Sequence, residues 1–318
     1  MSRARTRLRL AVASGAALAA LTAGALPATA TPAPAAGADA TARHLPWRPP
    51  FLQPTAIRQI PLQGAVNVRD LGGYRTYTGG TVRPGLVYRA DSLSKLTDAD
   101  LTTVAGLKLT KVVDFRVPLE LQYDGADRLP VGLTATSRSV DDKGLYGTIT
   151  GTIATRDPVR QEAVFGGGRG AALMGTIYEG FVDNPANRAQ FAATLREIAD
   201  GKQGPLLYHC TSGKDRTGWL SYVLLRALAV PESAARQDFL ASNTFRAAAD
   251  ARLREGLRQS GMMQNPDLLI PIQEVRPEYL DAANARVEAA YGDFGGYLTK
   301  GLGLDVRTLA KLQDKLVR

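Results

Sequence analysis

One stretch limits more than any other what this chain can fold into. Pro205-Leu206-Leu207-Tyr208 is a short apolar run of the kind that forms a buried strand. A few residues later Leu220, Val223, Leu224, Ala227 and Leu228 recur at i, i+3, i+4, i+7 and i+8, which is one face of a helix. Only a polar, glycine-bearing loop lies between them, and a strand feeding a helix through a tight loop is the unit of a parallel α/β sheet. The same alternation occurs upstream. Leu86–Arg89 reads as a strand. Thr97-Asp98-Ala99-Asp100 resembles a capping box opening a helix that Gly106 closes, and Leu109–Phe115 reads as a second strand, which predicts a βαβ unit. Asn184-Pro185 supplies a cap and a first-turn proline for a helix with Phe191, Leu195 and Ile198 on one face. Gly166-Gly167-Gly168-Arg169-Gly170 reads as a mobile loop, and from Pro231 onward the chain reads as mostly helical. The predicted class is α/β: a central sheet flanked by helices, with a helical C-terminal part.

The loop between strand and helix carries the chemistry. His209-Cys210-Thr211-Ser212-Gly213-Lys214-Asp215-Arg216-Thr217-Gly218 contains Cys-x5-Arg followed by a hydroxyl residue. A loop that ends at a helix N-terminus aims several backbone N–H groups at one spot, where an oxyanion such as phosphate binds. The same dipole and Arg216 favour the thiolate of Cys210, the nucleophilic form. The planar fork of Arg216 holds two phosphate oxygens, and Gly213 and Gly218 allow conformations and close approaches that a side chain obstructs. A nucleotide-binding P-loop is excluded, because Asp215 follows Gly213-Lys214 where Ser or Thr is required. The chain has 1 cysteine and 2 histidines, His44 and His209, so neither a disulfide framework nor a thiolate or His-rich metal site is expected. No metal and no cofactor are expected.

The sequence HCTSGKDRTG resembles the signature loop of the cysteine-dependent protein tyrosine phosphatases. Its Gly-Lys-Asp-Arg-Thr-Gly version is similar to the bacterial secreted tyrosine–serine phosphatases of the protein tyrosine phosphatase B type. Asn67-Val68-Arg69-Asp70-Leu71-Gly72-Gly73, Tyr88-Arg89-Ala90-Asp91-Ser92-Leu93, Val113-Asp114-Phe115-Arg116, Ser242-Asn243 and Glu278-Tyr279-Leu280 match that family in its order, as does the closing Tyr291-Gly292…Tyr297-Leu298. The resemblance covers roughly residue 60 to the end and implies a phosphatase-like sheet.

It also implies roles. Cys210 attacks phosphorus and forms a phosphocysteine. The amides of Thr211, Ser212, Gly213 and Lys214, with Arg216, bind the phosphoryl group, and Thr217 stabilises the departing thiolate. A general acid must protonate the leaving oxygen. Many tyrosine phosphatases carry it on a Trp-Pro-Asp loop, but neither Trp47 nor Trp219 precedes Pro-Asp. The resemblance assigns the role to Asp215. Asp114 is an alternative, or else forms a structural ion pair with Arg116. Lys214 suits multiply phosphorylated ligands such as phosphoinositides, or is simply a solvated lysine that raises phosphate affinity. His209 is expected as a buried imidazole supporting the loop, with Asn67, Arg69 and Asp70 bracing the fold. Residues 242–279 are expected as a helical hairpin completing the core; a lid over the site is the alternative.

Arg3, Arg5, Arg7 and Arg9, the apolar run Leu10–Leu26, and Ala28-Thr29-Ala30 have the pattern of a signal peptide over residues 1–30. A secreted protein with no stable membrane span after processing is expected. Residues 31–54 are Pro/Ala-rich and read as a linker, leaving 55–318 as the catalytic domain. Removing four arginines takes the formal charge from +9 to +9 − 4 = +5, a mild excess that favours anionic partners. No basic block interleaved with aromatics is present, so nucleic acid is not an expected partner; a phosphorylated protein or phosphoinositide is. Three other classes use a similar loop: sulfurtransferases, arsenate reductases and inactive phosphate-binding modules. Arg216-Thr217 argues against sulfur transfer, the lone cysteine against a disulfide relay, and the intact Cys210, Asp215 and Arg216 against a mere binder.

Overall fold

The computed structural model describes residues 57–318. The expected signal peptide and linker lie outside them. Among the described residues no helix is long and apolar enough to cross a membrane. The chain runs β1 (Arg58–Gln59), β2 (Arg69–Asp70), β3 (Val87–Ala90), α1 (Asp98–Gly106), β4 (Lys111–Asp114), α2 (Pro118–Asp124), β5 (Ala135–Ser137), α3 (Leu145–Ala154), α4 (Pro158–Phe165), α5 (Arg169–Asp183) and α6 (Pro185–Ala199). It continues with β6 (Leu206–His209), α7 (Arg216–Ala227), α8 (Glu232–Gln259), a 3₁₀ turn (Pro266–Leu269), α9 (Ile270–Gln273), α10 (Pro277–Tyr291), α11 (Phe294–Gly296), a π-helical turn (Tyr297–Gly301) and α12 (Val306–Leu316).

The six strands form one mixed sheet in the order β1-β2-β3-β6-β4-β5. Strands β3, β6, β4 and β5 are parallel, and β1 and β2 are antiparallel at one edge. The βαβ unit is present with two differences. β4 spans only Lys111–Asp114, and β6 inserts between β3 and β4, so the two strands joined by α1 are not neighbours. The box at the start of α1 forms as expected, with the Thr97 hydroxyl and the Asp100 carboxylate each accepting from the other's backbone N–H.

Both sheet faces are covered, and the pleat assigns residues to them in alternation. Leu206 and Tyr208 of β6 and Val113 of β4 pack in the larger core under α5, α6, α7 and α8. Leu207 and Val112 point to the opposite core with Val104 of α1. Helix α7 is sunk deepest: Trp219, Leu220, Tyr222, Val223, Leu224 and Leu225 are all buried. Each such side chain contributes about 1.5–3 kcal/mol through removal from water. Asn184 caps α6 by accepting from the Ala186 N–H at 2.9 Å. The five-residue glycine run is only half a turn: Gly167 and Gly168 are left-handed, whereas Arg169 and Gly170 already belong to α5. Residues 242–279 complete the core rather than standing clear of it. Met262 and Met263 are buried, and Asn243 trades two hydrogen bonds of 2.8 Å with the backbone of Val275.

Registers fix where the site falls. Ala90 and Asp114 both lie opposite His209, and Asp114 lies opposite Ser137. The four parallel strands therefore end level, and the segments that leave them meet at one rim. In open α/β sheets ligands bind at this carboxyl end.

Candidate active site

Cys210 follows β6 directly and is buried. The loop from Cys210 to Asp215 is held from outside by its carbonyls. His209 O accepts from Phe115 N–H (2.9 Å) and Thr211 O from Ser92 N–H (3.0 Å). Ser212 O accepts from Asn67 Nδ2 (3.0 Å) and Gly213 O from Arg89 Nη2 (2.7 Å). With its carbonyls turned outward, the loop turns its amides the other way. Among the described residues, the N–H groups of Thr211 through Arg216 donate to no protein acceptor, which leaves them for an oxyanion.

Gly213 is required on two counts. Its φ of +64° is left-handed, and a Cβ there would sit 2.4 Å from Ala90 O. Gly218 is tight for another reason, since a Cβ would stand 3.0 Å from the Phe239 ring.

Behind the loop lies a buried charge network. Asp238 of α8 accepts from Arg69 Nε (2.9 Å), Arg89 Nη1 (2.6 Å) and Tyr74 Oη (3.0 Å). Burial pushes the Asp238 carboxyl up, but the two guanidinium groups outweigh it and bring it down to about 2. Asn67 and Arg69 thus brace the loop, as expected, with Arg69 Nη1 donating to Asn67 Oδ1 at 2.5 Å. Asp70 braces the turns around it, accepting from the Gly72 and Gly85 amides at 2.8 and 2.9 Å.

In front of the loop a cleft opens, lined by Thr211, Ser212, Lys214, Asp215 and Arg216, by Glu120 and Asp142, and by the apolar Leu145, Tyr146, Ile149 and Ile272. Arg216 Nη1 donates to Phe115 O (3.2 Å) and Glu120 Oε2 (2.6 Å), and its Nη2 donates to Glu120 Oε1. Those three bonds leave two of the five guanidinium N–H groups, on Nε and Nη2, as an adjacent pair for two phosphate oxygens. Burial pushes the Glu120 carboxyl up, yet the charge and hydrogen bonds of Arg216, with those of Thr211 and Val117, hold it below the ordinary value.

Glu120 escaped the sequence reading. Its local signal is a proline at the first helical position and an acid at the third, and that marks a helix start rather than a site.

The remaining expected residues fall into two groups. Thr217 is fully buried and its hydroxyl has no partner among the described residues, next in the helix to Arg216. Lys214 is not solvated: it is 3 % exposed, and its Nζ lies 2.9 and 2.8 Å from the two Asp215 oxygens. Tyr178 Oη donates to Asp215 Oδ1 at 3.0 Å, and burial, with the Asp215 charge, pushes that phenol far above its ordinary value.

Asp114, by contrast, turns to Arg116, whose Nε lies 3.1 and 3.0 Å from its two oxygens. Arg116 also donates to Asp127 at 2.7 Å, and His209 Nε2 faces Asp127 at 2.8 Å. The other ring nitrogen of His209 faces Cys210 O at 3.3 Å, so both meet acceptors, the arrangement of an imidazolium. Burial alone lowers the His209 pKa, but Asp127 and then Asp114 outweigh it and raise it. Asp114, Asp127 and His209 offer ligand atoms within 4.8 Å of one another, and the cation among them is the Arg116 guanidinium.

The sequence profile of the tyrosine phosphatase family matches residues 60–318. The chain belongs to the tyrosine phosphatase family. It is a hydrolase of phosphoric monoesters, and its substrates are phosphorylated molecules. It is similar to a candidate tyrosine-protein phosphatase of Cupriavidus necator, at 31% identity over 76% of this chain and 84% of that protein. It is also similar to the triple specificity protein phosphatase PtpB of Mycobacterium tuberculosis, at 27% identity over 82% of this chain and 99% of that one. A tyrosine-protein phosphatase of Nostoc commune matches at 25% identity over 72% of this chain and 73% of its own length. The resemblance read from the signature loop is thus the family to which the chain belongs.

Proposed function

We propose that this phosphatase is exported and works through a phosphocysteine intermediate on phosphotyrosine, phosphoserine/threonine and phosphoinositide substrates. The observation that carries the mechanism is the clamped loop that opens at Cys210, with outward carbonyls, unclaimed amides and an Arg216 that keeps two donors free. Cys210 attacks phosphorus, the loop amides and Arg216 take up the charge on the transferring oxygens, and the buried Thr217 hydroxyl donates to the thiolate when it leaves. A carboxyl of the cleft gives a proton to the leaving oxygen, and Asp215 is the loop's own candidate. Breadth of substrate is supported by the name of the Mycobacterium relative. Export is supported by the pattern of residues 1–30.

The test is phosphate release from a phosphotyrosine peptide, a phosphoserine peptide and a phosphoinositide vesicle, under reducing conditions. Wild type is expected to turn over all three and Cys210→Ser none. Turnover by Cys210→Ser overturns the covalent mechanism, and turnover of the tyrosine peptide alone overturns the breadth. N-terminal sequencing of protein recovered outside the producing cell is expected to begin just after Ala30.

A further inference from the structure

Three carboxyl groups line the cleft, each from a different element. Two are committed to cations. Glu120 gives both oxygens to Arg216, with Thr211 Oγ1 adding a bond of 2.5 Å. Asp215 gives both oxygens to the Lys214 ammonium and one also to Tyr178. The third is Asp142, on the segment between β5 and α3. Its partners are the amides of Gly144 and Tyr146, each at 3.0 Å, and among the described residues no cation is bonded to it. It is 6 % exposed.

We infer that Asp142, rather than Asp215, is the catalytic proton donor and acceptor of this phosphatase; the assignment rests on the phosphocysteine reading. A donor must carry its proton at working pH, reach the reacting oxygen and be free of a competing cation. Attack by the cysteine sends the leaving oxygen away from the sulfur, out of the loop and into the cleft that Asp142 lines with it. Burial pushes the Asp142 carboxyl above its ordinary value, against the charge of Arg216 and the amide of Tyr146, while the Glu120 charge pushes it the same way as burial. Lys214 and Asp215 face the cleft as a mutually neutralised pair, and the neighbouring Ile272 adds an apolar wall without a competing charge.

The steps balance. The Cys210 thiolate forms the S–P bond as the P–O bond to the leaving group breaks, and the proton of Asp142 goes to the leaving oxygen. The resulting Asp142 carboxylate then takes a proton from water as the water oxygen bonds phosphorus. The S–P bond breaks, the thiolate returns and phosphate departs. In this scheme Asp215 positions Lys214.

The test compares Asp142→Asn with Asp215→Asn on 4-nitrophenyl phosphate and phenyl phosphate, across pH. A good leaving group needs no proton, so loss of the acid is felt on the poor one. Asp142→Asn is expected to lose about 100-fold or more in kcat on phenyl phosphate, several-fold on 4-nitrophenyl phosphate, and the alkaline fall of kcat. Asp215→Asn is expected to keep the wild-type ratio between the two substrates and that fall. Equal losses on both substrates in Asp142→Asn overturn the assignment, and so does a leaving-group-dependent loss in Asp215→Asn. Asp142→Ser keeps an acceptor for the Tyr146 amide without an ionisable proton, and must repeat the result if the Asn variant does not fold. Cys210→Ser in the same assay separates failure of this assignment from failure of the covalent mechanism, because only the latter leaves the serine variant active.

Discussion

The two sides of the anion loop are built from the same chemistry and do opposite things. Behind it, Arg69 and Arg89 close on Asp238, all three with side chains no more than 1 % exposed. In front, Arg216 closes on Glu120 at the wall of an open cleft. The rear network spends its donors on protein: Arg89 holds the Gly213 carbonyl, and Arg69 holds Asn67, which holds that of Ser212. The front pair keeps two N–H groups in reserve, so a phosphate adds to it without displacing Glu120. What separates a brace from a binding group here is unspent donors facing a cleft, and not the presence of an ion pair.

The sharpest way to break this comparison is to remove the shared anion of the rear network. Asp238→Ala strands two buried guanidinium groups, and we expect a stability loss of about 3–5 kcal/mol, read by urea unfolding at neutral pH. A loss under about 1 kcal/mol would mean that the arginines find water or other acceptors and that the network is not the brace described.

The converse change is in front. Arg216→Lys keeps the charge and loses the fork, so kcat/KM is expected to fall by about 100- to 1,000-fold, equivalent to about 3–4 kcal/mol. Its effect on stability is expected to be smaller than that of Asp238→Ala. The comparison inverts if unfolding measurements rank the two variants the other way.

A third and smaller effect comes from pH. The Asp238 carboxyl titrates lower in the folded protein than in the unfolded chain, so its contribution is complete above the unfolded pKa and is lost as pH falls toward about 2. Wild type should therefore lose roughly 2 kcal/mol of stability between about pH 5 and pH 2 from this group. In Asp238→Asn that part of the acid slope should be missing. An unchanged slope would assign acid sensitivity to other carboxylates.

Much of the loop was legible because its logic is local. Strand, loop and helix are contiguous, Cys210 and Arg216 are held at fixed spacing by one turn of backbone, and the glycines stand where the backbone needs them. The bracing roles of Asn67 and Arg69 and the buried imidazole of His209 were also foreseen. Other features were not. Lys214 looked capable of being a solvated cation, and only its burial against Asp215, itself held by Tyr178, shows that it is interior. Glu120 and Asp142 carry no sequence mark beyond ordinary helix-start chemistry, since carboxylates near helix N-termini are common everywhere. Asp114 sits in a family-like segment and was a candidate acid, yet the geometry gives it to Arg116.

By itself, then, the sequence determined the alternating α/β class and the strand–loop–helix that carries Cys210 and Arg216, each of which depends on residues a few positions apart whose periodicity and capping act through neighbouring backbone. The tertiary structure alone decided that β6 lies between β3 and β4, and which carboxyl meets which cation. Arg216 and Glu120 are 96 positions apart, and Arg89 and Asp238 are 149 apart. Pairings at that range are set by sheet order and by the level ends of the parallel strands. Those are products of packing the whole chain and leave no trace in local pattern.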